Sequence, residues 1–300
     1  MPDPVQILWS PAGLNLPALG ARDLVDVSDG DTPNIRMPVR MLSIDTPEVT
    51  ARSETGAANV DAKFAQLAGW LTDGAAPVSA RWRDHILPRL RDRQAGTLHY
   101  TQGKAASDWY KTRKDERLTK PNGRKRRLFI RTADMPFDNY GRLLAYVAPS
   151  YSASELREMT RRERATFNLD LIASGWAAPF ILYPSIPGEL DLPLVLEAAT
   201  EAMNQRLGQY ADDLSLPGYE YRMCEKLHAV TKKLIEGQSL SWPDRLAWRS
   251  RYCMDMRDRT LHGPEDYMDV PPPYRIWIWP GDVQEAIGKL NLVPSGRLTD

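Results

Sequence analysis

Two tight polar turns, Asp29-Gly30-Asp31-Thr32 and Asp45-Thr46-Pro47-Glu48, bracket an apolar run from Val39 to Ile44. No other stretch restricts the fold of this chain as strongly. Glycine supplies unusual φ, and Asp and Thr hold turns through side-chain bonds to the backbone, so each tetrad punctuates extended chain. Leu24 to Val27 alternates apolar and acidic residues, which predicts a strand delivering the first turn. Only eight residues separate Asp31 from Arg40, Pro33 and Pro38 among them. Proline cannot donate to a ladder, so this hairpin is expected to be trimmed. Carboxylates at the ends of adjacent strands can converge on one hard cation, because calcium prefers oxygen ligands. An arginine close by suits a phosphate, whose oxygens its planar fork binds in pairs.

Far downstream lies Asp138-Asn139-Tyr140-Gly141-Arg142-Leu143-Leu144-Ala145-Tyr146-Val147. DGDT, then R-x-L-x-x-D-T-P-E, then DNYGRLLAYV, in that order, resembles the staphylococcal (thermonuclease-type) nuclease family. The resemblance implies an α+β, mainly β core: a five-stranded OB-fold barrel with packed helices. It implies calcium, with magnesium as the alternative, held by Asp31, Asp45 and the Thr46 carbonyl. Glu48 would be the general base on the attacking water, a role suited to a carboxylate that stays ionised beside cations. Arg40 and Arg142 would clamp the phosphate and stabilise the five-coordinate transition state. The family pattern implies 5′-hydroxyl and 3′-phosphate products. For each residue taken alone, a structural turn acid or a buried ion pair is the competing reading.

The same comparison predicts a helix after DTPE, and Gly56 to Thr72 has the spacing for it, with Val60, Phe64, Leu67, Ala68 and Leu71 on a face toward the barrel. Phe167 to Ala177 resembles the family helix that closes the barrel, and Leu192 to Tyr210 its last helix. Tyr183 matches either a tyrosine beside the substrate or a core residue. Between about 75 and 124 the chain carries an insertion with a second helix near Trp82, Ile86, Leu87 and Leu90, kinked or ended by Pro88. From Lys111 to Arg131 ten Lys/Arg face only Asp115 and Glu116. Since the net charge of the chain is zero, any nucleic-acid footprint must be local, and this run is the candidate. Lys111, Arg113, Lys114, Arg124, Lys125 and Arg126 are the expected backbone contacts, with Trp109, Tyr110 and Tyr140 offering rings and Arg127-Leu-Phe-Ile-Arg131 a strand. A solvated hairpin is the bland alternative.

Residues 1–214 thus read as the nuclease-like domain and 215–300 as an α-rich C-terminal extension. Tyr219 to Ile235, Ser241 to Leu261 and Asp282 to Leu290 are predicted helices, and Tyr274 to Trp279 a strand. Cys224, His228, Cys253 and His262 lack ordinary zinc spacing, so buried cysteines are expected. Trp242, Trp248, Trp277 and Trp279 suggest an aromatic core. Two cysteines argue against a disulfide scaffold. The N-terminal stretch, with a possible strand at Val5 to Trp9, has no leader pattern, and no membrane-length apolar run occurs, so a cytoplasmic location is expected. The function expected is a calcium-dependent endonuclease acting on DNA, with RNA the alternative. A non-catalytic scaffold binding nucleic acid or protein, or a nuclease docked into a larger defence assembly through residues 215–300, stands beside it.

Overall fold

Hydrophobic periodicity and turn chemistry set the elements in this computed structural model, which describes residues 21–298. In chain order the first are β1 (Asp23–Asp29), β2 (Thr32–Arg36), β3 (Val39–Met41), β4 (Ile44–Asp45), α1 (Glu54–Thr72), α2 (Ala80–Leu90) and α3 (Ala95–Leu118). Then come β5 (Leu128–Phe137), β6 (Leu143–Pro149), α4 (Ala153–Glu158), α5 (Phe167–Ala173), β7 (Ala178–Pro179), β8 (Ile181–Leu182) and α6 (Leu192–Asn204). The last are α7 (Gly218–Ile235), α8 (Trp242–Leu246), β9 (Tyr252–Asp255), β10 (Thr260–His262), β11 (Arg275–Ile278), α9 (Val283–Leu290) and β12 (Val293–Pro294). The expected strand at Val5 to Trp9 lies outside the described residues.

The described residues divide into two compact units, residues 21–40 with 131–145, and residues 41–130 with 146–298. In the smaller unit β1 and β2 form an antiparallel hairpin in which Asp29 pairs with Thr32 across Gly30-Asp31. The trimmed hairpin is therefore present, and every one of its strand positions is exposed. Within the same unit the Leu143 amide donates to the Pro38 carbonyl at 3.0 Å, and Arg22 Nη2 donates to Gly141 O at 2.5 Å.

The larger unit is built on helices. Ser53 caps α1 by accepting from the Gly56 amide, and Val60, Phe64, Leu67 and Leu71 recur on its buried face. That face packs on α2, α3 and α7 rather than on a barrel. A β-sheet in the order β12-β10-β9-β11-β8 supplies the second layer, with β8 and β12 parallel to their neighbours and the other pairings antiparallel. One core joins Phe64, Leu67, Trp82 and Ile86 to Tyr219, Tyr221, Leu227, Cys253 and Trp277. A second gathers Ile44, Leu171, Ile172, Ile181, Met254 and Ile276. The division expected at 214/215 falls inside this unit, whose core draws residues from both sides of it.

Helix and sheet layers are also joined by a buried polar network. Glu220 meets His85 at 2.9 Å and Tyr267 Oη at 3.0 Å, while Arg275 donates to Tyr219 Oη at 2.5 Å and to Val270 O at 2.7 Å. Burial would raise the Glu220 carboxyl, yet His85, Arg89 and Arg275 outweigh it and hold the group down at about 2. Such groups are tolerated inside only when paired.

The molecule is thus of mixed α+β class. Its described strands divide among four sheets, β1-β2, β3-β6-β5, β4-β7 and the five-stranded one, and closure into a barrel is not among their pairings. Two expectations change. The insertion holds the 24-residue α3, whose polar, weakly periodic sequence disguised a helix buried along one side by Ala95, His99 and Ala106. The helix expected over 241–261 stops after α8, and β9 and β10 follow as a hairpin. A capping box of Ser241 and Asp244 starts α8. Beyond it the β-forming Tyr252-Cys253 pair and the left-handed turn at Arg259 (φ 65°) prevail over helical spacing.

Candidate active site

Asp45 and Glu48 lie in the larger unit, and the structure surrounds their turn with helices. Asp45 ends β4, which pairs with β7 through Asp45 and Ala178, and its side chain is 1% exposed. Two helices approach the turn at glycines. A methyl group at Gly218, the first residue of α7, would lie 2.6 Å from Asp45 Oδ2 and 2.9 Å from the Thr46 carbonyl oxygen. One at Gly103 of α3 would lie 2.9 Å from the carbonyl oxygens of Pro47 and Glu48. Any side chain there would push the helix away, so glycine is required for the close approach.

From that position α7 projects Arg222 onto both acids. Its Nη1 donates to Asp45 Oδ1 at 3.1 Å and its Nη2 to Asp45 Oδ2 at 2.8 Å, and Nη1 also meets Glu48 Oε1. Burial works against the Arg222 charge, but Asp45 and then Glu48 overcome it and raise its pKa. Gly218, Arg222 and Glu225 follow at helical spacing i, i+4 and i+7, so one face of α7 is directed at the turn. Glu225 is raised by burial and then by the like charge of Glu48.

His99 of α3 fixes the backbone of the turn. The Glu48 amide donates to His99 Nε2 at 2.8 Å, and Nδ1 faces the Leu216 carbonyl at 3.1 Å. An accepting Nε2 and a donating Nδ1 describe the neutral imidazole. The ring is 1% exposed and stacks on Tyr221 of α7 with centroids 4.0 Å apart. Burial pushes its pKa down to about 4, against an opposing pull from Asp45.

Two more cations stand near this cluster. Arg251 is lowered to about 10 by burial and then by Arg222, and Lys226, at the surface but partly desolvated, is lowered by that desolvation, then by Arg251 and Arg222. These charges, with His99, Gly103, Gly218, Arg222 and Glu225, were not legible as site residues. The G-x3-R-x2-E spacing on a predicted helix was the available signal, but it does not name the partner of that face.

The other expected residues are placed as follows. Asp31 sits at the hairpin tip of the smaller unit, accepting from Thr32 Oγ1 at 3.1 Å; Arg40 ends that unit's first segment. Arg142 of the same unit pairs with Asp138 at 2.7 Å and lies over the Tyr140 ring, itself 80% exposed. Tyr183 is buried, its hydroxyl donating to Glu285 of α9 at 3.1 Å. Much of the basic run is internally compensated: Lys111 by Asp108, Arg113 by Asp170 and Glu116, Lys114 and Lys125 by Asp115, and Arg126 by Glu155. Trp109 and Tyr110 pack on the second core, Tyr110 edge-on to Phe167. Arg124 remains exposed. Cys224 and Cys253 are free, buried thiols.

A divalent cation needs oxygen lone pairs directed at it. Both Asp45 oxygens are instead directed at one guanidinium, and among the described residues no three His, Cys, Asp or Glu side chains converge to hold a metal. As arranged, Arg222 bonds both Asp45 oxygens, and a cation would reach them only after Arg222 had swung away. No helix among the described residues is long and apolar enough to cross a membrane. No family model matches the sequence, and no curated protein matches it.

Proposed function

We propose that this chain is a nuclease that hydrolyses phosphodiester bonds of DNA, with RNA as the alternative substrate. The observation that carries the reading is the Glu48 carboxylate, 22% exposed and touching a guanidinium anchored on the buried Asp45. A guanidinium has five N–H donors, and the bonds to Asp45 and Glu48 use three of them. Two remain for a phosphate oxygen. In the proposed step Glu48 takes a proton from water as its oxygen attacks phosphorus in line; the P–O5′ bond breaks, and the departing 5′-oxygen takes a proton from solvent to become the 5′-hydroxyl while the phosphate stays on the 3′-oxygen. Arg222, held rigid by Asp45, neutralises charge on the phosphorane oxygens, the main task of the protein in phosphoryl transfer. The motifs shared with the staphylococcal nuclease family support this assignment. The roles of Asp31, Arg40 and Arg142, the barrel arrangement and the calcium requirement rest on that resemblance.

The competing reading is a non-catalytic scaffold, and one observation favours it: Arg222 already satisfies both Asp45 oxygens, as a purely structural pair would. Cleavage of end-labelled single- and double-stranded DNA with calcium, with magnesium and with chelator separates the two. Cutting that leaves 5′-hydroxyl and 3′-phosphate ends supports the nuclease. Intact DNA under every condition, with the oligonucleotide still bound, supports the scaffold.

A further inference from the structure

Arg251 is a charge near the site that is held by aromatic rings and by no ion pair among the described residues. Its guanidinium lies over the rings of Phe180, Trp277 and Trp279, 5.2, 5.9 and 5.5 Å from their centroids. Ring faces attract a cation but supply no hydrogen-bond acceptor of carboxylate strength. No described residue gives Arg251 a hydrogen bond or an ion pair, although it is largely withdrawn from solvent. Its neighbours add to the imbalance: Arg222 is nearby, with its charge spent on Asp45 and Glu48. Lys226, one turn farther along α7, feels both arginines. Asp45 also pulls on Arg251, but both of its oxygens are bonded by Arg222, and a partly desolvated cation without an ion-pair partner of its own is unfavourable unless an anion completes it.

The third ring identifies the anion. Trp277 is buried within the core, whereas Trp279, just past the end of β11, keeps 41% of its surface exposed. A fork of N–H donors beside an open indole suits a phosphate carried by a stackable base. We propose that Arg251, Lys226 and Trp279 form a nucleotide subsite, Arg251 and Lys226 taking a backbone phosphate of single-stranded nucleic acid while its base stacks on Trp279. This deepens the nuclease reading and rests on it for the choice of ligand. It places a substrate contact in residues 215–300, where the sequence pointed only to an extension.

The test is equilibrium binding of a fluorescein-labelled oligothymidylate to the full chain, by anisotropy, in chelator and across a salt series. Arg251→Gln and Lys226→Gln should each weaken binding and reduce the log–log salt slope by about 0.7, the value of one lost phosphate contact on a single strand. Trp279→Leu should weaken binding roughly 5- to 150-fold with the slope unchanged. Lys226 is exposed, so its variant keeps the test valid if Arg251→Gln unfolds. Unchanged slopes in Arg251→Gln and Lys226→Gln, or no binding by the wild type, overturn the subsite. If the slopes fall as expected but wild type with metal cuts nothing, the subsite stands and the cleavage reading fails. If cutting is intact and the slopes do not move, the subsite alone fails.

Discussion

Replacing Arg222 by methionine keeps an unbranched apolar stem and removes the guanidinium with its charge. The effect can be sized from the site. Asp45 is 1% exposed and receives two charge-assisted hydrogen bonds from Arg222. Taking one partner from a buried ion pair typically costs 3–5 kcal/mol, because the remaining charge stays in low dielectric. Arg222 itself is 26% exposed, so water can reach part of the vacated space, and the low end, about 3 kcal/mol, is expected. For a unit of this size that is a melting-point drop of roughly 6–12 °C. Urea unfolding followed by circular dichroism measures it, provided the m-value is unchanged. Asp45→Asn combined with Arg222→Met should cost about 1–3 kcal/mol less than the sum of the single changes, since the double variant leaves no buried charge to compensate. If Arg222→Met lies within about 0.5 kcal/mol of wild type, or the two changes simply add, Arg222 does not hold Asp45 as described.

The neutral His99 gives a pH dependence with a defined sign. Its folded pKa is about 4 against 6.5 when unfolded, so its stabilisation is complete above pH 6.5 and is lost as the pH falls toward 4. At roughly 1.4 kcal/mol per unit, this amounts to about 3 kcal/mol at most. The urea midpoint should fall more steeply between pH 6.5 and 4 in wild type than in His99→Gln; parallel curves would refute the assignment. Gly218→Ala should lose about 1–3 kcal/mol through overpacking against Asp45 and Thr46. Gly69→Ala, an exposed α1 position with nothing within 4 Å, should gain about 0.5–1 kcal/mol. Thermal melts that rank the two glycine variants in the opposite order would contradict the close approach of α7 to the turn.

Local chemistry made several features legible. The DGDT hairpin, the DTPE turn, the buried face of α1 and the strand at Arg275–Ile278 each follow from spacing or turn residues that act over a few positions. What the sequence did not reveal depends on long-range contacts. Nothing in residues 45–48 names Arg222, a separation of 177 positions. Nor does α7, read alone, say whether Gly218, Arg222 and Glu225 face a turn, a ligand or water. Charge counted along the basic run likewise omits Asp170 and Glu155, which meet Arg113 and Arg126 only in the fold. The C-terminal region read as an extension because it lies outside the shared motifs. In the structure α7 instead supplies the arginine that meets both motif acids.

The most direct test of the central claim is the single-turnover rate of DNA cleavage by wild type and Glu48→Gln, measured side by side under whichever metal condition supports wild-type cutting. The substitution preserves shape and removes the proton acceptor. If Glu48 is the general base, the rate falls by about 10²–10⁴-fold while oligonucleotide binding in chelator is unchanged. Cleavage by Glu48→Gln at the wild-type rate would contradict the account and remove the chemistry from the Asp45–Glu48 turn.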